Sequence, residues 1–125
     1  MKWALADREP LSRWGVGPVT LAGDAAHPML PFMAQGAAMG IEDGYVLGQA
    51  LDGADDIESA FRRYENRRMS RTARVQRDAR ANGDIYHLGG FAARARDAAL
   101  GLMGPDRLLA RFDWLYGWGM ATPAE

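Results

Sequence analysis

The residues with chemistry to offer cluster within positions 19–44, VTLAGDAAHPMLPFMAQGAAMGIEDG. Asp24 supplies a carboxylate directly after a short β-type run, Val19-Thr20-Leu21-Ala22. A carboxylate accepts hydrogen bonds only, which suits the paired hydroxyls of a polyol or ribose. Gly23 has no Cβ and admits unusual φ values and the close approach of another group. Gln35-Gly36 stands where a helix should begin. The first amides of a helix lack internal partners and carry the positive end of its dipole. Such an end stabilises negative charge in a ligand. The unit therefore offers a diol acceptor beside an anion-stabilising amide cluster. A plainer reading stands beside it: a βα turn in which Asp24 bonds nearby amides and His27 is packed or exposed. Glu42-Asp43 reads as a paired-carboxylate acid/base site or as a structural pair with one member bonding the neighbouring loop, and the structural reading is favoured.

The pattern also indicates the elements that must position these groups. Residues 19–22 form a strand that stops at Gly23, and a strand end presents its next residues to a ligand crevice in open α/β sheets. Pro28 and Pro31 shape the loop, and a helix runs from about Gln35 to Leu51. Ala38, Ile41, Tyr45 and Gly48 share one face of it at helical spacing. Gly36, Ala37, Ala38, Gly40, Gly44 and Gly48 imply close approach to a sheet or cofactor, since each internal glycine otherwise costs about 1 kcal/mol against alanine.

Upstream, residues 2–6 read as a short strand or the tail of one, 7–10 as a turn in which Pro10 keeps Glu9 extended, 11–14 as one turn of helix and 15–18 as a loop. Downstream, Asp55 or Asp56 caps a helix running from Ile57 to about Asn82. Its inner stripe is Ile57, Ala60, Phe61 and Tyr64, continued by Arg68, Thr72, Val75 and Ala79. It also carries Arg62, Arg63, Arg67, Arg71, Arg74, Arg77 and Arg80. This is a nucleic-acid patch or a solvated face pairing with acids elsewhere. The arginines recur all round the helix with only Phe61 and Tyr64 as nearby aromatics, which favours the second reading. Asn82-Gly83-Asp84 reads as a helix stop and restart. A further helix over 85–103 is interrupted near Gly89-Gly90 and ended by Gly104-Pro105. Asp106 caps a short final helix over 107–115. Phe112, Trp114, Leu115, Tyr116 and Trp118 form an aromatic tail that suits packing against another domain or subunit. His87 is a surface or packed histidine.

Composition narrows the function classes. The 125 residues suit one unit, with 15 basic against 16 acidic residues and so no global pull toward nucleic acid or anionic membrane. There is no cysteine, and two histidines separated by sixty positions offer no paired metal-ligand spacing, so no metal is expected. The start lacks the apolar core of a signal peptide. Residues 25–41 hold too many prolines, glycines and polar positions to span a membrane. A cytoplasmic protein is the expectation.

The pattern Gly23-Asp24-Ala25-Ala26-His27, then Pro31, then Gln35-Gly36, then Glu42-Asp43, resembles the second flavin-binding motif of the FAD-dependent aromatic hydroxylases, the class A flavoprotein monooxygenases. Within them it is most similar to the salicylate and 3-hydroxybenzoate hydroxylase type. Trp3, Asp7-Arg8, Pro10 and Trp14 resemble that family's lead-in, and residues 111–118 resemble its C-terminal tail. The resemblance covers nearly the whole chain but only the C-terminal third of such an enzyme. Pro18 stands where family members often carry a basic residue, and Gly40 and Gly44 where alanine is usual.

The resemblance implies a fold that is α/β in origin and mostly α here: one to three short strands, one of them leading into a helix from a Rossmann-type FAD-binding domain, then two or three C-terminal helices. It implies FAD as cofactor, NAD(P)H as co-substrate and O2-dependent hydroxylation of a phenolic or benzoate-type ring. By the same carry-over Gly23 and Asp24 hold the ribityl chain. Pro31 lines the isoalloxazine ring. Gln35 and Gly36 face the flavin pyrimidine edge, and Gln35 also reaches the substrate. His27 supports the turn, and Asp7-Arg8 lies near the flavin or forms a surface ion pair. No G-x-G-x-x-G follows a strand, so the ADP-binding half, the substrate sheet and any upstream base are expected to be missing. The chain alone is then expected not to turn over and to bind FAD weakly or not at all, as a truncated reading frame, an excised domain or half of a split enzyme completed by an N-terminal partner chain; a homodimer is the other partner expectation. Two alternatives from other classes are a non-catalytic helical interaction module and a nucleic-acid binder acting through the 62–80 helix. Neither explains the 23–43 motif.

Overall fold

The computed structural model describes residues 5–119. The strand expected over 2–6 lies largely outside them, and Leu5 and Ala6 have no regular structure. The chain divides into two compact units, Met1–Gly83 and Asp84–Glu125.

The first unit is built on two helices. α1 is Gly36–Leu51 and begins where the small-residue run predicts. α2 is Ile57–Tyr86. Its start is capped as expected: Asp56 Oδ1 accepts the Ser59 N–H at 2.8 Å and Oδ2 accepts the Ser59 hydroxyl at 2.6 Å. Those bonds hold the Asp56 carboxyl below its usual range. Residues 11–14 form no helical turn. Trp14 instead buries its ring against His27 and Tyr64, with centroids 5.4 and 5.6 Å away.

The expected strand over 19–22 is corrected by the structure. Among the described residues the only β pairing is an isolated bridge, Val16 with Val19. Ala22 is extended, at φ −144° and ψ 158°. A strand needs an extended neighbour to receive its N–H and C=O groups, and beyond the Val16–Val19 bridge no described segment pairs with this one. The protein is therefore mostly helical, with an extended lead-in and no sheet among the described residues.

The stop expected at Asn82-Gly83-Asp84 is also corrected, because α2 runs through it to Tyr86. A Cβ on Gly83 would sit 2.8 Å from two carbons of the Phe32 ring. Gly83 is thus a notch that receives Phe32 from the proline loop, and not a terminator. Alanine in an open helical position gains about 1 kcal/mol over glycine. Here the sign should reverse: Gly83→Ala is expected to lower stability by about 1–3 kcal/mol through overpacking, read as a reduced urea midpoint. A methyl group placed on Gly44 would meet nothing within 4 Å, and the same holds for Gly40 and Gly48. Among the described residues no protein atom packs closely on these three glycines. Gly44→Ala should raise stability by about 1 kcal/mol in the same assay.

The core of this unit is polar as well as apolar. Met39, Val46, Ala60, Tyr64, Val75 and Ala79 are fully buried, and so are His27 and Arg68, with Asp43, Thr72 and Gln76 almost so. Gln76 donates from Nε2 to the carbonyl of Pro28 at 2.9 Å. Arg80 pairs with Asp7 at 2.5 Å and with Glu9, tying the lead-in to α2.

The second unit contains α3 (Gly90–Met103), α4 (Pro105–Ala110) and α5 (Asp113–Tyr116). The break falls at His87–Gly89, consistent with the interruption expected near Gly89-Gly90. Pro105 opens α4 at its first position and Asp106 makes no capping bond. The expected final helix is split at Arg111 and Phe112. Leu115 is buried, whereas Tyr116 is exposed and stacks beside Phe112 at 6.3 Å. No described helix is long and apolar enough to cross a membrane.

Candidate functional site

Gly23–Ala25 folds into a single 3-10 turn. Gly23 adopts φ +57°, a left-handed conformation that glycine enters without a Cβ penalty. Its carbonyl accepts the N–H groups of Ala26 and His27, both at 2.9 Å. Its own N–H donates to Asp43 Oδ2 at 2.8 Å. The Arg8 guanidinium donates to the carbonyls of Ala25 and Ala26. The turn's backbone is thus held from several sides. The Asp24 side chain takes part in none of these bonds, is exposed, and has no polar partner among the described residues.

Pro31–Met33 forms a second 3-10 turn, closed by Ala34 at φ +52°. The chain then enters α1 through Gln35. The first helical bond within reach is Met39 N–H to the Gln35 carbonyl, 2.9 Å, so the amides of Gly36, Ala37 and Ala38 precede the ladder. Gln35 makes no side-chain capping bond to them.

Between the two turns and the start of α1 lies a cavity of about 580 Å³, lined by Gly23, Asp24, Met29, Pro31, Gly36 and Gly40 among others. That volume is within the range of small-molecule pockets. One side offers a free carboxylate and the other a helix N-terminus with small residues around it. This arrangement can hold a polyol by its hydroxyls and stabilise negative charge on an attached planar group.

Behind the turn sits a buried charged cluster. Asp43 Oδ2 lies 2.6 Å from His27 Nε2, and Oδ1 accepts from Arg68 Nε at 2.7 Å. Arg68 also bonds Glu42 and the Met39 carbonyl, and Arg71 binds Glu42 at 2.7 and 2.8 Å. Burial pushes the Asp43 carboxyl up, but the bonds from His27, the Gly23 amide and Arg68 outweigh it and leave its pKa lowered. Burial and the neighbouring Asp43 carboxylate hold the Tyr64 phenol well above its usual range, while its hydroxyl donates to the Leu21 carbonyl at 3.2 Å.

A family model described as an FAD binding domain matches residues 2–79. The chain belongs to this FAD-binding domain family. It is 45% identical over 122 residues to a 3-hydroxybenzoate 6-hydroxylase of Polaromonas naphthalenivorans, covering 97% of this chain and 30% of the relative. It is likewise 45% identical over 121 residues to a 3-amino-4-hydroxybenzoate 2-monooxygenase of Streptomyces platensis, covering 95% of this chain and 30% of the relative. Among solved structures, an HpxO variant of Klebsiella pneumoniae complexed with FAD is similar at a TM-score of 0.79 and 33% identity, over 86% of this chain and 28% of that one. The chain spans about 30% of the length of the curated relatives it matches. The resemblance to the FAD-dependent aromatic hydroxylases stands on these matches.

Gly23, Asp24, Pro31 and Gly36 come together on one cavity. Gln35 adjoins it at the first position before α1 but is not among its lining residues. Met29, Ala37 and Gly40 line it too. Their types carry no ligand signal, and only the fold brings them there. Asp43 does bond the neighbouring loop, at Gly23 and His27. Arg8 supports the turn through backbone carbonyls, a contact that residue types alone do not announce.

Proposed function

We propose that this chain is the flavin-holding part of an NAD(P)H- and O2-dependent aromatic hydroxylase acting on a phenolic or benzoate-type ring. The observation that carries the reading is the free Asp24 carboxylate on a cavity shared with the open N-terminus of α1. The residues present fit FAD. A carboxylate without an internal partner suits the ribityl hydroxyls. Pro31 and Met29 give an apolar wall, and the amides of Gly36 and Ala37 suit an electron-rich ring edge. The names of the relatives support the substrate class, since both contain a hydroxybenzoate.

FAD, when bound, supplies the redox chemistry in which a ring C–H, O2, NAD(P)H and a proton become a ring C–OH, water and NAD(P)+. The chain's own residues bind and orient. Asp24 accepts hydrogen bonds from the ribityl chain. The start of α1 stabilises negative charge that develops on the ring system, a preorganised dipole aimed at that charge. Gln35, adjoining this point, contacts flavin or substrate. The extended segment at residues 19–22 pairs as a strand once the remainder of a flavin domain lies beside it. These residues span about 30% of the length of the curated relatives, and by themselves they do not turn over. Arg68, Arg71 and Arg80 of α2 are engaged with Glu42, Asp43, Asp7 and Glu9, which fits arginines pairing with acids elsewhere in the chain.

Asp24→Ala tests the assignment. Losing hydrogen bonds from a charged acceptor is expected to weaken flavin binding roughly tenfold or more, with the unliganded melting temperature unchanged because Asp24 holds nothing else in place. FMN should compete for the site and ADP should not. Equal affinity of the wild-type and Asp24→Ala chains would remove Asp24 from the site.

A further inference from the structure

Asp43 joins three separate parts of the Met1–Gly83 unit. It sits on α1 with 1% of its surface exposed. It accepts the Gly23 N–H of the turn, pairs with His27 after the turn, and accepts from Arg68 on α2. A carboxylate can only accept, so the His27 ring donates through Nε2–H. That leaves Nδ1 as a fully buried nitrogen with no hydrogen-bond partner. Leaving a buried polar atom unpaired costs free energy. The ring is kept on Asp43 in spite of that cost.

The geometry of the turn explains what the cluster achieves. Gly23 must hold φ +57° with its N–H turned to Asp43, and the next residue is Asp24. The bonds to this turn end on backbone atoms or on His27, and none ends on the Asp24 carboxylate. The turn is therefore fixed from behind while its ligand group stays free. Fixing a binding group in its bound arrangement raises affinity by cutting the ordering cost.

We propose that Asp43 is a positioning residue for the FAD site, acting through the Gly23 amide and His27 to set the turn that presents Asp24, with Arg68 holding the carboxylate in register. The inference rests on the FAD reading above and adds to it a group that never touches the cofactor.

The test uses the 125-residue chain in three forms: wild type, Asp43→Asn and Asp24→Ala. Each is titrated with FAD by visible absorbance, and each is followed by amide exchange at Gly23 and by its thermal melt. Asp43→Asn places a carboxamide N–H against one of three donors, so the Gly23 amide is expected to lose protection. FAD affinity is expected to fall at least about tenfold, although Asp24 is intact. A lowered melting temperature with unchanged affinity and flavin spectrum would make Asp43 merely structural and overturn the proposal. Failure of the wild type itself to bind FAD overturns the underlying reading and this inference with it, an outcome distinct from failure of the variant alone.

If Asp43→Asn does not fold, two variants at His27 decide. The side-chain amide N–H of His27→Gln can still donate to Asp43, whereas His27→Leu cannot. The proposal requires His27→Gln to bind FAD at least about tenfold more tightly than His27→Leu. Equal affinities of the two contradict it.

Discussion

Arg68→Ala is expected to unfold the Met1–Gly83 unit or leave it barely stable. The Arg68 side chain is completely buried, and it bonds Asp43, Glu42 and the Met39 carbonyl. Removing it leaves Asp43, itself 1% exposed, as a buried charge without its cationic partner. Breaking one side of a buried pair in this way costs about 3–5 kcal/mol, against a total stability of about 5–15 kcal/mol for a domain. Arg71 stays with Glu42 but does not replace the bond to Asp43. Arg68→Lys should fall between the two, because one ammonium cannot satisfy three acceptors spread around a planar guanidinium. Urea unfolding followed by far-ultraviolet circular dichroism reads both. An Arg68→Ala midpoint within error of the wild type would mean that the cluster contributes nothing to the fold.

Acid should dismantle the same cluster without any mutation. Burial raises the folded pKa of Asp43, but the bonds from His27, the Gly23 amide and Arg68 more than offset this and leave it lowered. A group whose folded pKa lies below its unfolded value stabilises the fold fully above the unfolded value, about 3.9 for an aspartate. That contribution declines as pH falls below the unfolded value and is gone once pH has passed through the folded one. Asp56 shifts in the same direction, but it is fully exposed at the start of α2 and its loss concerns only the cap. The wild-type melting temperature should therefore drop steeply on the acid side of about pH 4. Asp43→Asn should flatten that part of the profile, and a variant profile parallel to the wild type would contradict the assignment.

How much of the molecule is legible in its sequence depends on where each signal resides. The 23–43 motif can be read because its residue types carry their chemistry with them: a glycine and a carboxylate at a turn, a helix start rich in small residues. α1 and the start of α2 can be read because caps and periodicity are local. Arg68 and Thr72 fall on the inward stripe of α2 by spacing alone, and both are buried. The spacing does not show that Asp43 and Glu42 wait across from Arg68. The strand expected over 19–22 fails because a strand is made by its neighbour, and the described residues include no extended partner for Ala22. Gly83 reads wrongly as a stop because glycine in a helical pattern looks alike whether it ends a helix or receives a ring. Only Phe32, brought in from the proline loop, distinguishes the two. The role of Gln35 is read from the motif alone, since the cavity is lined by its neighbours Ala34 and Gly36 and not by Gln35 itself.

The central claim is that the cavity between Asp24, Pro31 and the start of α1 holds the flavin of FAD. The most direct test is a titration of the purified 125-residue chain with FAD, followed by the visible flavin bands, with circular dichroism confirming that the chain is helical. Weak but saturable binding, with shifted flavin bands, competition by FMN and none by ADP, is the expected result. A folded, helical chain that leaves the flavin spectrum unchanged up to millimolar FAD would contradict the claim.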